Sequence, residues 1–341
     1  RVNIDPLEYA DTLDNALTGG YIIKVDKTTG GGVIAWTSPY LAQSPSPVGI
    51  SYQMHDPDIS VMHPSQLGYI EDYVTDWENA LADSNFTDPN VGYRKYIDVP
   101  SFIDFFLVNE VTKNVDGYRI SSFLYKQRFS EGGKLVAGPL WDFNIALGNA
   151  NYCQGNTTSG WAKNFNSICG GGQLIPFWWD RLLSDSTFAN LTHCRWLTLR
   201  QGPLSDTVIM SMIDSFALVL EEPSLRHYIK WPILGTYVWP NNFIGQSFAE
   251  EINYLKTWIT NRLTWMDANM VGSCDNLAVI QEETPTIKVF PNPSSQLFYI
   301  EGIKRPTYAQ LRAQTGQLIK TISLDSFTTT ISAEDLENGY T

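Results

Sequence analysis

The sequence has no long apolar run and no excess of basic residues. No window of its 341 residues approaches the roughly 20 apolar residues that a membrane-spanning helix needs, so no membrane span is predicted. With 23 basic and 36 acidic residues, the net charge is −13. Because no basic stripe is available to neutralise phosphates, nucleic acid is not expected as a partner. The chain also lacks a P-loop, a dinucleotide-binding fingerprint and a serine-hydrolase elbow.

Cysteine is scarce and widely spaced. None of Cys153, Cys169, Cys194 and Cys274 forms a C-x-x-C pair, so a zinc site is not expected. Two disulfides, in any of three connectivities, and buried free thiols both remain open. Cys153 and Cys169 bracket a stretch rich in Gly, Asn and Ser that a bridge could close. The chain begins at Arg1 without a leader, as expected after removal of a signal peptide or from a cut N-terminus.

Aromatic residues are abundant, and they divide the chain in two. Hydrophobic residues make up 43%, with 11 Trp, 17 Tyr and 16 Phe, which is enough for a large core. All Trp and Cys residues precede the polar segment Gln281–Pro285. The acidic excess also precedes it, because the five basic and five acidic residues after Thr284 cancel. The sequence therefore predicts two domains, residues 1–280 and 285–341, joined by a linker.

Local patterns predict an α+β fold. The first domain is expected to be mainly helical with β-hairpins, and the tail to be a small antiparallel β-sandwich. Strands are expected at Tyr21–Val25 and Val33–Trp36. Ser65 is the predicted N-cap of the first long helix, and Ser101 with Asp104 resembles a capping box. The predicted long helices are Ser65–Ala82, Ser101–Lys113, Pro176–Leu199, Thr207–Leu220 and Ser247–Met270.

One stretch, from Asn109 to Asn149, carries the chemistry. A helix is expected to end near Asn114, and Asp116 follows in a loop. Strands at Arg119–Gln127 and Lys134–Leu140 form a hairpin, and Asp142 comes directly after it. Given an inter-strand spacing of about 4.8 Å, the hairpin should bring the two aspartates within roughly 10 Å. The two carboxylates, with the amides of Asn114, Asn144 and Asn149, make a hard-oxygen site that suits Mg²⁺.

The order of helix, loop Asp, hairpin and Asp-Phe is the order found in protein kinases. There, one Asp contacts the substrate hydroxyl and a second Asp holds Mg²⁺. The alternative reading is structural: Asp116 caps a turn before Gly117, and Asp142 caps the segment that follows it. The pattern by itself does not decide between the two.

Several longer motifs resemble the CotH family of spore-coat-type atypical protein kinases. They are TGGYIIKVD (18–26), YIDV (96–99), SFIDFFLVNEVTKNVDGYR (101–119), GPLWDFNIALGN (138–149), FWWDRLLSDSTF (177–188) and RWLTLRQGPLS (195–205). The resemblance covers about residues 1–272. It implies an atypical-kinase-like large lobe, ATP with Mg²⁺ or Mn²⁺ as cofactors, Asp116 as the catalytic residue and Asp142 as a metal ligand. Asn114 and Asn144 are the expected cofactor-binding residues, and Asn144 is also an expected metal ligand.

This sequence departs from the family pattern in three places. The family's small nucleotide-binding lobe would precede Arg1, so the chain is expected to be cut there. Asn144 stands where many relatives have Asp, and Ser121 stands five residues after Asp116, where ordinary kinases have Asn. Two functions are therefore carried forward. One is a secreted kinase that phosphorylates Ser or Thr of a partner protein, and the other is a catalytically inactive adhesion protein that binds a surface ligand.

The tail resembles the C-terminal sorting domain of the type IX secretion system. The matching motifs are VFPNPSSQLFYI (289–300), AQTGQLIKTI (313–322) and ISAEDLENGYT (331–341). The resemblance implies a secreted or cell-surface protein of a Bacteroidetes-type bacterium, with the type IX machinery as a partner. Such domains continue past the Asn-Gly-Tyr turn, so the tail is expected to extend beyond Thr341.

Overall fold

A computed structural model describes residues 4–42, 48–169 and 173–274, together with five strands beyond residue 287. The chain folds as two compact units, residues 1–276 and 277–341. The described part contains both helices and antiparallel sheets, so the fold is mixed and consistent with the α+β class. The predicted linker at Gln281–Pro285 lies outside the described residues.

The first unit contains a five-stranded antiparallel sheet, in the order β2-β3-β1-β4-β5. β1 is the central strand and four of its five residues are buried, as its apolar sequence YIIKV predicts. It pairs with β4, and Val25 lies opposite Ser122. The residues that follow β1 therefore lie beside the residues that precede β4. The strands are β1 (Tyr21–Val25), β2 (Trp36–Leu41), β3 (Gly49–Asp56), β4 (Ser122–Lys126) and β5 (Leu135–Ala137).

The predicted strand at Val33–Trp36 is wrong in position, because β2 begins where that prediction ends. Val33 and Ile34 have the β-branched composition of a strand, but both are exposed. Trp36 is buried and stacks on Tyr52 of β3, with ring centroids 4.8 Å apart. Packing of aromatic residues between neighbouring strands therefore decides where β2 begins.

The helices begin at caps other than the predicted ones. His63, not Ser65, caps α2, since the backbone N–H of Ser65 donates to its Nδ1 at 3.1 Å. Asp98 caps α3 by accepting from the backbone N–H of Ser101 at 2.9 Å, so the predicted capping box is wrong. Asp185 caps α5 and divides the predicted helix 176–199 in two. The helices are α1 (Asp14–Leu17), α2 (Pro64–Ala82), α3 (Val99–Thr112), α4 (Trp178–Leu183), α5 (Ser186–Arg200), α6 (Asp206–Lys230) and α7 (Phe248–Asn269). In the described part of the chain, no helix is both long enough and apolar enough to cross a bilayer.

An aromatic core lies between α2, α3 and α4. Trp77 of α2 contacts Trp178 of α4, with ring centroids 4.7 Å apart. Trp179 of α4 is stacked on Phe105 of α3 at 5.7 Å and contacts Tyr118 at 4.7 Å. Tyr118 follows α3 by six residues and is fully buried. Tyr118 therefore anchors the loop that carries Asp116 in this core.

Both cysteine pairs of the first unit are disulfides. Cys153 is bonded to Cys169 and Cys194 to Cys274, with Cα–Cα distances of 4.9 and 5.1 Å. Of the two alternatives that the sequence left open, the structure shows two disulfides and not free thiols. The first bridge closes a 16-residue separation and the second an 80-residue one.

The second unit contains two small antiparallel sheets. One has the order β10-β7-β6, and the other pairs β8 with β9. Ile300 and Ile331 of the first sheet are buried, and Ala309 and Ile322 of the second pack against them. The strands are β6 (Lys288–Phe290), β7 (Leu297–Glu301), β8 (Thr307–Arg312), β9 (Leu318–Leu324) and β10 (Thr328–Ser332).

Candidate active site at the end of α3

The candidate site begins where α3 ends. Lys113 takes the left-handed conformation, with φ of 46°, and stops the helix. A tight loop follows, in which the N–H of Gly117 donates to the carbonyl of Asn114 at 3.1 Å. A Cβ at Gly117 would lie 2.3 Å from Oδ1 of Asn109, so any larger residue there would displace the carboxamide of Asn109. The N–H of Ile120 donates to the carbonyl of Asp116 at 3.0 Å and completes the turn. Asp116 thus lies on a constrained loop between α3 and β4.

Asn114 joins the two aspartate loops. Its Oδ1 accepts a hydrogen bond from the N–H of Asp116 at 3.2 Å, and its Nδ2 donates to the carbonyl of Asp142 at 3.4 Å. Asn114 is buried, with 1% of its surface exposed. Both ends of its carboxamide are thus engaged by the protein, and this favours a positioning role over direct contact with a ligand.

Asp142 follows β5 and lies at the open end of the hairpin. It adopts a left-handed conformation with φ of 61° and is exposed. Within the described part of the chain, its carboxylate and the side-chain amide of Asn144 have no hydrogen-bond partner. The next turn is fixed by Asn149, whose Nδ2 donates to the carbonyl of Asn144 at 2.9 Å. The N–H of Leu147 donates to the carbonyl of Thr112 at 2.7 Å and attaches this turn to the end of α3.

Non-glycine residues with a left-handed backbone conformation are concentrated around the candidate site. Of the eight described non-glycine residues with positive φ, seven lie between residues 113 and 154. Each such conformation costs about 1–2 kcal/mol in an L-residue and persists only where the surroundings enforce it. Such residues cluster at active sites and ligand clamps, which supports a functional reading of this region. The seven are Lys113, Tyr118, Ser121, Asp142, Leu147, Cys153 and Gln154.

Charges of both signs act on Asp116. Burial raises the pKa of its carboxyl above the usual value, while Arg119 and Lys27 lower it and Asp142 raises it. Nη2 of Arg119 lies 3.3 Å from Oδ1 of Asp116. Nε of Arg119 donates to the carbonyl of Val115 at 2.8 Å, which holds the guanidinium in place. Because the net direction is upward, Asp116 is a stronger base than an exposed aspartate.

The sequence did not predict a role for the residues that follow β1. Oδ1 of Asp26 accepts from the N–H of Ser121 at 3.3 Å and from the N–H of Lys27 at 2.9 Å. Nζ of Lys24 lies 3.4 Å from Oδ2 of Asp26. Asp26 therefore supports the end of the Asp116 loop, and Lys27 is close enough to act on the pKa of Asp116. The only signal in the sequence was the motif TGGYIIKVD, because pairing of β1 with β4 across about a hundred residues leaves no local trace.

Glu110 lies beneath the site in a buried ion pair. Nη2 of Arg262 is 3.4 Å from Oε2 of Glu110, and both side chains are fully buried. Glu110 also accepts from the N–H groups of Ala162 and Lys163, at 2.7 and 2.9 Å, and from the hydroxyl of Tyr118 at 3.1 Å. Burial raises the pKa of Glu110, and Arg262 lowers it. All of these contacts are internal, so Glu110 anchors the end of α3 and does not face the site.

The exposed oxygens fit a hard divalent cation. Asp142 and Asn144 offer a carboxylate and an amide oxygen, which are ligand types that Mg²⁺ and Mn²⁺ accept. Across the described ranges, no three or more His, Cys, Asp or Glu side chains gather into a metal-binding group. Mg²⁺ is commonly held by one or two carboxylates together with substrate phosphates and water. The residues present therefore fit the metal that the resemblance implies.

An α+β unit that holds two aspartates on adjoining loops, at the open end of a hairpin, has the arrangement of a candidate phosphoryl-transfer site. A family model described as CotH kinase protein matches residues 9–266. This match covers most of the chain, and the chain therefore belongs to the CotH kinase protein family. No curated protein matches the chain.

Proposed function

We propose that the protein is a kinase that transfers the γ-phosphate of ATP to Ser or Thr of a partner protein. The observation that carries the proposal is the link through Asn114, which holds the loop of Asp116 and the loop of Asp142 together. Phosphoryl transfer requires one group to orient the attacking hydroxyl and another to neutralise charge on the phosphates. The membership of the CotH kinase family supports the same reaction.

Each residue then has a defined role. Asp116 orients the acceptor hydroxyl and takes its proton, with Arg119 holding the carboxylate in place. Asp142, together with Asn144, would hold Mg²⁺ or Mn²⁺, which when bound supplies positive charge to the ATP phosphates. Asn114 positions both aspartates through its two hydrogen bonds.

The test is phosphate transfer from ATP, with Mn²⁺ or Mg²⁺, to a protein acceptor or to the chain itself. We expect Asp116→Asn and Asp142→Asn each to lower the rate by about 10²–10⁴-fold, the range for loss of a general base or a charge-stabilising group. Circular dichroism should show both variants folded. Asp72→Asn removes an exposed aspartate of α2 and serves as the control, with an unchanged rate.

Full metal-dependent activity in Asp142→Asn would contradict the role of that residue. No transfer by the intact parent protein, together with no ATP binding in calorimetry, would overturn the kinase proposal. The remaining hypothesis would then be a catalytically inactive binding protein on the same fold.

We further propose that the protein acts outside the cytoplasm, either secreted or at the cell surface. Two disulfides support this, because such bonds form and persist in oxidising compartments. The resemblance of the tail to a type IX sorting domain supports export by that machinery. In a bacterium with this machinery, deletion of residues 277–341 should retain the protein inside the cell, as read by fractionation. Export of the truncated chain would contradict the proposal.

A further inference from the structure

The loop closed by Cys153 and Cys169, residues 153–169, contacts the end of α3 and is called the cystine loop below. Lys113 inserts its side chain into this loop. Its Nζ donates to the carbonyl of Thr157 at 3.1 Å, to the hydroxyl of Thr157 at 2.5 Å and to the carbonyl of Ser159 at 2.6 Å. Lys113 has 1% of its surface exposed. No carboxylate in the described part of the chain lies within ion-pair distance of it, so the loop oxygens alone satisfy its ammonium group.

The cystine loop is itself held from α7. Nη1 of Arg262 donates to the carbonyls of Thr158 and Gly160, at 2.9 and 2.7 Å. Nε and Nη2 of the same guanidinium donate to the carbonyl of Glu110 at 2.9 and 2.7 Å. One buried side chain therefore joins the cystine loop to the last turn of α3. Trp258 adds a second attachment, since its Nε1 donates to the carbonyl of Asn156 at 2.8 Å.

The loop reaches the residue next to Asp116. A Cβ at Gly155 would lie 2.5 Å from Cγ1 of Val115, so the loop backbone packs directly against Val115. Lys113 holds the left-handed conformation that turns the chain out of α3, one residue before Asn114. The cystine loop therefore contacts the chain at Lys113 and again at Val115, on both sides of Asn114.

We propose that Lys113 is a positioning residue for Asp116, and that the cystine loop, closed by Cys153–Cys169, is the template that sets the geometry of the Asp116 loop. Lys113 touches no reacting group and acts through Asn114 and Val115. The catalytic consequence rests on the proposed kinase function, whereas the positioning itself does not depend on it.

The chain offers a matched control in Lys126. Lys126 is fully buried, and its Nζ donates to the carbonyls of Thr18 and Gln127. It lies opposite Tyr21, at the far end of β4 from Ser122. Lys113→Met and Lys126→Met each remove one buried ammonium group from a set of uncharged oxygens. They differ in their distance from the candidate site.

The experiment is hydrogen–deuterium exchange on the full chain, read by mass spectrometry over residues 114–121. In Lys113→Met we expect exchange in this segment to be at least about tenfold faster, and in Lys126→Met to stay within about twofold of wild type. Wild-type exchange over 114–121 in Lys113→Met would overturn the proposal. Equal acceleration in both variants would overturn it as well, because that would indicate general destabilisation.

A second pair of variants keeps the test decisive if Lys113→Met fails to fold. Replacing Cys153 and Cys169 by Ser should accelerate exchange over 114–121 more than replacing Cys194 and Cys274, although the second pair closes the larger loop. The reverse order would overturn the proposal. If the chain transfers phosphate, Lys113→Met should lower kcat at least about tenfold and leave KM for ATP within about twofold, since the altered group is the base and not the nucleotide contact. An unchanged kcat in an active enzyme would overturn the proposal. An intact parent protein without transfer would overturn the kinase function instead, and the exchange data would still decide the positioning role.

Discussion

Arg119 opposes the effect of burial on Asp116. Burial raises the pKa of the Asp116 carboxyl, and the guanidinium of Arg119 lowers it. In Arg119→Gln the pKa of Asp116 should rise, because the charged form loses its nearest cation. The acid limb of the pH–rate profile should therefore move to higher pH. Arg195→Gln, which breaks the exposed ion pair with Asp104, is the control and should leave the limb in place. An acid limb that stays put in Arg119→Gln would argue against Asp116 as the base.

Lys126 makes stability depend on pH. Burial lowers its pKa from 10.5 to about 8. Between these values the unfolded chain binds a proton that the folded chain has released, so the free energy of unfolding rises with pH. This contribution is complete above the unfolded pKa and is lost as the pH falls through about 8. The free energy of unfolding of wild type, minus that of Lys126→Met, should increase between about pH 7.5 and 9.5 in urea titrations. A constant difference would contradict the assignment.

At the scale of elements, α7 packs against the turn that follows Asp142. Gly148 has φ of +82°, and a Cβ there would lie 2.3 Å from Cδ1 of Trp258. The hydroxyl of Tyr254 donates to the carbonyl of Gly148 at 2.9 Å. Both contacts require the backbone of this turn to approach α7 closely, so the turn has no room for a side chain.

Gly148→Ala should therefore destabilise the fold by more than backbone strain alone. We expect a loss of about 2–5 kcal/mol in the free energy of unfolding, from overpacking added to the left-handed conformation. Gly30→Ala is the control, because Gly30 has φ of +93° with nothing within 4 Å of a Cβ. Only the conformational cost of about 1–2 kcal/mol should appear there. Equal losses in the two variants, measured by urea unfolding, would show that Trp258 yields to the added methyl group.

The sequence predicted the elements whose signals are local. β1 was predicted at Tyr21–Val25, and the loop-hairpin-loop order placed Asp116 and Asp142 on neighbouring loops. The predicted cap at Ser65 is wrong, because His63 competes with Ser65 for the same role. The roles of Asp26 and Lys113 could not be predicted, since each depends on a segment that is distant in sequence. Burial of Lys113 also contradicts the usual exposure of lysine, which no pattern of neighbours signals.

At the scale of the first unit, the two disulfides close loops of very different size. Loop-closure entropy predicts a stabilisation of about 3 kcal/mol for a loop near 16 residues and about 4–5 kcal/mol for one near 80. Replacing Cys194 and Cys274 by Ser should therefore lower the free energy of unfolding more than replacing Cys153 and Cys169. Guanidinium titrations of the two double variants measure this directly. The opposite order would show that the contacts of the cystine loop outweigh chain entropy.

The reactivity of the two buried lysines, Lys113 and Lys126, can report local opening of the protein. Acylating reagents modify only amines that they can reach, so an active ester should label exposed lysines such as Lys95 and Lys230 at once. Lys113 and Lys126 are closed to it until the protein opens around them. The burial that lowers their pKa values to about 8 is lost when the protein opens, so their acylation reports the opening and not the depressed pKa. The rate at which Lys113 is acylated therefore measures how often the cystine loop separates from α3. The rate for Lys126 measures how often the protein opens at the far end of β4.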